Sequence, residues 1–389
     1  MTVNVTRDAI NVREKLAELD KPTGIAGEAM LRAETPQEQF NLIGAGRRNL
    51  LINGSLSQWQ RGISNTSVND GVYLADRFSM RTSNNGWYRA DQSTDAPEGF
   101  PYSLKITSLG SNTPSSGAYI FFSQKIEGFN TVPLAYGTAS ARTVTLSFYV
   151  RSSLAGTHGG AIRNNAQNRS YPFSYTINAI DTWEYKTITI VGDTTGTWVG
   201  VTNGIGLELI WNLGSGSGNI GTAGAWQAAG KLGATGEVDI VSTNGATFYI
   251  TGVQLELGKV ATPFEHRSYG EELALCQRYY QVLIDNANGQ RAVAAGRANS
   301  TSTVEFQLPL SVGMRDITSL PQSNMGTIYL YSGGARVNTS GGTVSLNDDY
   351  LSGSPYVYLR TTGASVSDDR AYTIGGFLAD AHLAVDGEL

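Results

Sequence analysis

The sequence predicts a mainly β protein: an antiparallel, jelly-roll-like β-sandwich, a smaller C-terminal β domain, and a short helical N-terminal segment. Three observations predict it. Between Leu50 and Leu257, runs of about four to eight residues alternate apolar with polar, the period of a half-buried strand. The 46 glycines, with abundant Ser, Thr and Asn, supply residues that tolerate tight reversals. Strands do not alternate with long helical patterns, so stacked antiparallel layers are expected rather than β-α units.

Residues 1–48 differ from all that follows, being charged, helix-forming and poor in aromatics. Residues 6–20 place Ile10, Leu16 and Leu19 on one helical face, with Thr6 as N-cap and Pro22 and Gly24 as the stop. A second helix begins at Thr35, where Pro36 suits the first helical position and Glu38 completes a capping box. Helices this thin cannot bury a core alone and need sister chains or another protein.

From Leu50 the period changes to strand. Strands are expected at 104–107, 118–122, 144–150, 185–191, 205–211 and 248–257. Residues 110–117, 155–168 and 213–224 carry turn chemistry between them, and the run GSGSGNIGTAG (214–224) reads as a flexible, exposed loop. In the last strand Phe248, Ile250, Val253, Leu255 and Leu257 carry the period; Gly258 breaks it and Pro263 prevents its return. Residues 271–278 read as a short helix. Further strands are expected at 279–284, 304–310, 327–331, 343–346, 356–361 and 371–378. The divisions are therefore 1–48, 49–270 and 271–389.

Only 16% of residues are charged and the formal net charge is -5, which argues against a nucleic-acid partner. The single cysteine, Cys276, excludes an intrachain disulfide and reads as a small buried apolar residue. With no signal-peptide pattern at the N-terminus, folding in a reducing cytoplasm is the expectation. No run reaches the apolar length of a membrane span, so no membrane insertion is expected.

Catalytic and metal-binding chemistry is expected to be absent. His158, His266 and His382 lack ligand spacing, so no metal and no cofactor is expected, and His158 in THGG reads as an exposed turn residue. The letters G-x-S-x-G at 214–218 lack the strand before and helix after that a nucleophile elbow needs. Asp348 and Asp349 in SLNDDY have the oxygen-rich character of a Ca²⁺ loop, but adjacent acids are also ordinary in turns. Asp76, Asp91, Glu127 and Glu208 are scattered, and the chain reads as no enzyme.

Aromatics are the informative side chains: six Trp, 19 Tyr and 12 Phe. Sugars are held by flat aromatic faces with Asn, Asp, Gln and Arg supplying directional hydrogen bonds. Trp87 and Tyr88 in SNNGWYRADQ, Trp183 and Tyr185 in DTWEY, Trp198 in TTGTWVG and Trp226 in AGAWQAAG fit this description. Sandwich cores are also built on such rings. Trp59, Trp183 and Trp211 read as mainly structural, which leaves Trp87, Tyr88 and Trp226 as the candidate ligand contacts.

The segments RNLLINGSLSQWQR (48–61), YLADRF (73–78), FYITGVQLELG (248–258), ATPFEHR (261–267) and CQRYY (276–280) together resemble tail-fibre and other virion structural proteins of tailed bacteriophages. Residues 27–54 are similar to the leader of marine and cyanobacterial phage structural proteins, and LPLSVGMRDITSLP (308–321) resembles strands of fibre tips. The resemblance implies a carbohydrate-binding-module-like sandwich over roughly 49–265. It further implies a virion tail protein made in the host cytoplasm, homotrimeric as a fibre, with residues 1–48 attached to other tail proteins. Its distal β domains would adhere to host surface glycans, weak contacts summed by multivalency. It makes Asp76–Arg77 a structural ion pair and Glu265 and Arg267 fixed parts of a corner between domains. The alternatives are a non-adhesive head decoration or tail connector, and a polysaccharide-degrading tailspike.

Overall fold

The computed structural model describes residues 47–286 and, beyond them, 294–323, 329–332, 335–338, 344–346, 354–362, 366, 371–375 and 381–389. The expected N-terminal helices and the Asp348–Asp349 loop lie outside the described residues.

The chain first makes β1 (Ser64–Asn65), β2 (Phe78–Thr82), β3 (Tyr88–Ser93), β4 (Ser103–Ser108) and β5 (Ile120–Glu127). Next come β6 (Val144–Ser152), β7 (Gly156–Arg163), β8 (Ser170–Ile177), β9 (Glu184–Ile190) and β10 (Ile205–Asn212). Two short strands, β11 (Ile220–Gly221) and β12 (Gly233–Ala234), precede the long β13 (Thr247–Leu257). A six-stranded antiparallel sheet runs β1-β3-β4-β13-β6-β9, and a five-stranded one runs β2-β5-β10-β7-β8. Neighbours such as β4-β13-β6 and β5-β10-β7 are far apart in sequence, so the chain passes repeatedly between layers, as in a jelly roll.

Alternation builds the core between the two sheets. Val144, Leu146, Phe148 and Val150 of β6 and Phe248, Ile250, Val253 and Leu255 of β13 are fully buried, facing Leu207, Leu209 and Trp211 of β10. Trp211 lies flat on Phe122, ring centroids 5.1 Å apart, and edge-on to Phe148 at 6.0 Å. Pro172 sits in β8, an edge strand, where a missing N–H costs no ladder bond.

Three local expectations are corrected. Residues 156–163 form a strand rather than a turn. Their small side chains answer to close packing: a Cβ on Gly160 would lie 1.9 Å from the Ile210 carbonyl oxygen. His158 is accordingly buried, not exposed, with its ring 5.9 Å from Tyr175 and Nε2 3.0 Å from the Leu154 carbonyl oxygen. The glycine-rich run 214–224 is partly buried, with Gly216 donating to the Ala118 carbonyl and Gly218 to that of Ser116.

Ser268 caps the helix Tyr269–Gln277 by accepting from the Glu271 N–H. Cys276 and Tyr279 bury against Ile52, and Cys276 is 1% exposed. The chain then enters a second β region. It contains β14 (Tyr280–Asn286), β15 (Ala294–Ala298), β16 (Thr303–Pro309), β17 (Gln322–Ser323) and β18 (Tyr329–Ser332). It continues with β19 (Ala335–Asn338), β20 (Val344–Leu346), β21 (Tyr356–Thr362), β22 (Ala371–Gly375) and β23 (Ala381–Asp386). A three-stranded sheet, β14-β23-β17, and a seven-stranded one, β19-β18-β22-β15-β16-β21-β20, share a core that includes Phe306, Val357, Leu359, Ile374 and Leu383.

Asp76 and Arg77 do not pair with each other. Asp76 faces Arg61 at 3.7 Å and accepts from Gln60, while Arg77 pairs with Glu388 and lies 3.5 Å over the Tyr279 ring. Arg77 has a left-handed φ of 72°, and its side chain reaches the second domain.

Because Trp211 touches Phe78, Phe122 and Phe148 at once, Trp211→Ala is expected to cost about 3–5 kcal/mol, read as a lower urea midpoint with unchanged slope.

Candidate functional site

A sandwich offers two outer faces, and they differ here. On the five-stranded sheet the outward residues are consumed by internal contacts. Arg163 Nε donates to Glu208 at 2.6 Å, and Ser123 Oγ donates to the same carboxylate at 2.8 Å. Leu232, beside β12, packs on Phe121 and Ile210. At the other end Arg77 pairs with Glu388, and Lys125 donates to the Leu389 carbonyl.

Under the edge of that cover is a cavity of about 370 Å³, lined by Asn212, Ser215, Ser217, Thr235, Glu237 and Asp239 among others. Glu237 accepts from Asn212 Nδ2 at 2.7 Å and from the Ala234 N–H, which fastens β12 to β10. Burial pushes its carboxyl up to about 8, against the pull of Asn212. Asp239 is also pushed up by burial, but it caps the turn Ile240–Ser242 and is structural.

The outward face of the six-stranded sheet is different. Tyr149 and Tyr185 pair directly across β6 and β9, centroids 4.9 Å apart. Phe100 lies 5.5 Å from Tyr149, and Phe264 and His266 lie 5.0 and 5.3 Å from Phe100. On the same face Tyr249 pairs with Lys105 of β4 and Arg151 of β6, whose cations sit 5.5 and 5.0 Å from its ring centre. Trp183 stands edge-on to Tyr249 at 6.1 Å and donates its indole N–H to Asp95 at 3.0 Å. Asp95 also pairs with Arg151. Tyr185 is 46% exposed, His266 is exposed, and Trp183, Tyr149 and Phe100 are half-buried. Rings held by their neighbours, interleaved with charged hydrogen-bonding groups, can stack on an apolar sugar face and bond its hydroxyls at little ordering cost.

Of the sequence-derived candidates, Tyr88 is corrected. It is fully buried in the sandwich core, and its hydroxyl finds no hydrogen-bond partner among the described residues. It occupies an inward position of β3, while Arg89 and Asp91 point outward. Trp87 is half-buried against the core. Trp226 belongs elsewhere, in a cluster with Tyr136, Tyr171 and Trp198 at centroid distances of 5.7, 5.3 and 5.4 Å. Its indole N–H donates to the Val191 carbonyl at 2.8 Å. The outward face instead carries Trp183, which the sequence reads as structural, with Tyr149 and Phe100 and, buried beneath Trp183, Tyr249. The available signal was that Tyr149 and Tyr249 hold the odd positions between Phe148 and Val150 and between Phe248 and Ile250.

No family model matches the chain, and no curated protein matches it. Solved structures do. A Bacteroides thetaiotaomicron protein described as sugar-binding aligns with TM-score 0.32 and 10% identity over 54% of this chain and 100% of its own. A CBM4 structure gives 0.28 and 16%, over 53% and 98%. The enzymatically active domain of tailspike protein 4 of bacteriophage CBA120 gives 0.28 and 15%, over 54% of this chain and 21% of that one. Likenesses at this level carry no functional argument; the sandwich is established by its own sheets.

Two outcomes are expected. Tyr88→Phe, which removes a buried unpaired hydroxyl, keeps or raises stability by up to ~1–3 kcal/mol in thermal or urea unfolding. Glu237 is protonated in the fold and ionised in the unfolded chain between its ordinary 4.5 and about 8. The folded state therefore binds the extra proton there, and stability falls as pH rises through that window, at most by ~1.4 kcal/mol per unit. Urea unfolding at pH 5 and 8 checks this: Glu237→Gln should flatten the difference.

Proposed function

We propose that this chain is a non-catalytic adhesin of a tailed bacteriophage, a tail-fibre or receptor-binding protein that holds host surface glycans. The observation that carries the glycan reading is the open aromatic face of the six-stranded sheet, where Trp183, Tyr185, Tyr149 and Phe100 stand beside Arg151, Asp95 and Lys105. Tyr185 and His266 are exposed on this face, with Trp183, Tyr149 and Phe100 half-buried beside them, which supports it as the ligand face. The phage reading rests on the resemblance of the segments at 48–61, 73–78 and 248–280. In it, residues 1–48 attach the chain to other tail proteins, and a homotrimer multiplies weak sugar contacts into firm adhesion.

A glycan array with the purified chain tests the reading. Trp183→Ala and Tyr185→Ala should each weaken the bound glycan roughly twofold to tenfold, the worth of one aromatic contact. Folding should be unchanged to within about 0.5 kcal/mol for the exposed Tyr185. Binding to no glycan, with no block of phage adsorption by the free protein, would sink adhesion. Release of oligosaccharide from a host polysaccharide would move the protein to the degrading spikes, and a one-chain mass in intact tails would remove the trimer.

A further inference from the structure

The long strand β13 breaks step with its neighbour once. Thr251 stands opposite Tyr149 of β6, but the next pair is Gln254 with Ser147. Three steps along β13 match two along β6, so β13 carries one extra residue, a β-bulge. Gly252 lies in it with a left-handed φ of 62°. The bulge also switches which positions face the core: Phe248 and Ile250 before it, Val253 and Leu255 after it, all fully buried. Its backbone is held by the leading segment. The Val253 N–H donates to the Gly54 carbonyl at 2.8 Å, and the Val253 carbonyl accepts from Asn49 Nδ2 at 2.9 Å. Thr251 Oγ donates to the Tyr102 carbonyl at 2.8 Å, which ties the segment that follows Phe100 to β13.

The outward side of the bulge carries a ring. A Cβ on Gly252 would lie 2.7 Å from Phe100 Cζ, 3.1 Å from Phe100 Cε1 and 3.0 Å from Tyr149 Cδ2. Phe100 therefore rests on bare backbone. A side chain at 252 would fall inside the contact distance of that ring and bear left-handed strain as well. From this seat Phe100 lies 5.5 Å from Tyr149, 5.0 Å from Phe264 and 5.3 Å from His266. It is the ring that joins the Tyr149–Tyr185 pair to the corner after β13. We propose that Gly252 is the positioning residue of this outward face: its bulge seats Phe100 beside Tyr149 and Tyr185, and a glycan is held by the surface those three rings make. The ligand half rests on the adhesion reading above; the seat rests on the geometry alone.

The experiment uses the full chain, and its ligand probe is the printed glycan array itself. The seat is read without ligand from the His266 imidazole proton signals in NMR, which the Phe100 ring current shifts. Phe100→Ala gives their position with that ring gone. Gly252→Ala should displace these signals, and wild-type positions in that variant overturn the proposal. Leucine lacks Cζ and Cε1, so Gly252→Ala should lower the urea midpoint less in a Phe100→Leu background than in the wild type. An equal loss in both overturns the seat. On the array, Gly252→Ala should weaken every bound glycan roughly twofold to tenfold, as Phe100→Ala does. Both changes act through one ring, so Phe100→Ala/Gly252→Ala should bind no more weakly than Phe100→Ala alone. Additive losses, or binding untouched by Gly252→Ala while Tyr185→Ala weakens it, overturn the positioning role and leave adhesion standing. A wild-type chain that binds no glycan overturns the adhesion reading and the ligand half with it, whatever the His266 signals show.

Discussion

The sandwich depends on one buried polar knot that ties its first residues to its last. Glu265 accepts from the backbone N–H groups of Arg48 and Asn49, the latter at 2.6 Å across 216 positions of sequence. Arg267 answers by donating to the carbonyls of Asn49 at 2.7 Å and Leu51 at 3.1 Å, and it pairs with Glu265 and Glu272. The Asn49 side chain bridges to β13, donating to the Val253 carbonyl at 2.9 Å and accepting from the Leu255 N–H at 3.0 Å. Gly54 must be glycine at this crossing, because a Cβ there would lie 2.2 Å from the Val253 carbonyl oxygen. Closing so long a loop costs entropy, and a charge pair this buried is destabilising when half of it is lost. The knot therefore holds the leading segment against the central strand of the six-stranded sheet.

The same joinery decides which face of the sandwich is free. From the knot the chain passes through the helix Tyr269–Gln277 to Arg278 and Tyr279, both of which donate to Glu127 on β5. Burial pushes the Glu127 carboxyl up, and the bonds from Arg278 and Tyr279 more than reverse this, leaving it below the ordinary range. Arg61 extends the seam, pairing with Asp386 at 3.2 Å and lying 3.7 Å over the Tyr280 ring. With Glu388 on Arg77 and Leu389 on Lys125, the C-terminal region covers the end of the five-stranded sheet. The six-stranded sheet is covered at one end only, where Gln254 and Glu256 of β13 are buried under Thr262 and Glu265, and its aromatic patch lies beyond that cover.

What the sequence makes legible follows from this division of labour. Period-2 alternation places β4, β6, β9, β10 and β13 within a residue or two, because one face of each is apolar. It misses β7, where Gly159 and Gly160 are small for packing rather than for turning. The recognisable segments, RNLLING and ATPFEHR, turn out to be the knot itself. Such residues are constrained by buried hydrogen bonds, so they advertise a fold and say nothing about a ligand. Of the outward rings, Phe100, Tyr149, Trp183 and Tyr185 sit in the less distinctive middle, while Tyr249, Phe264 and His266 lie within the recognisable segments. Tyr149 and Tyr249 were hidden because apolar residues flank them on both sides, and the outward position looks like more core. Tyr88 is the opposite case: its polar neighbours on β3 point outward while it points in.

The electrostatics of the open face fix what kind of recognition it can perform. Arg89 is held by Asp91 at 2.7 Å, Arg151 by Asp95, and Lys105 rests over Tyr249. Each cation on that face already has a partner or a ring, so the surface carries little net field to steer a charged ligand from a distance. A ligand on that face would be held by ring stacking and short-range hydrogen bonds, which salt screens little. Contacts of this kind are individually weak, and a chain with an overall charge of only -5 gains little from long-range attraction. On the proposed glycan reading, several copies presented together would sum such weak contacts into firm attachment.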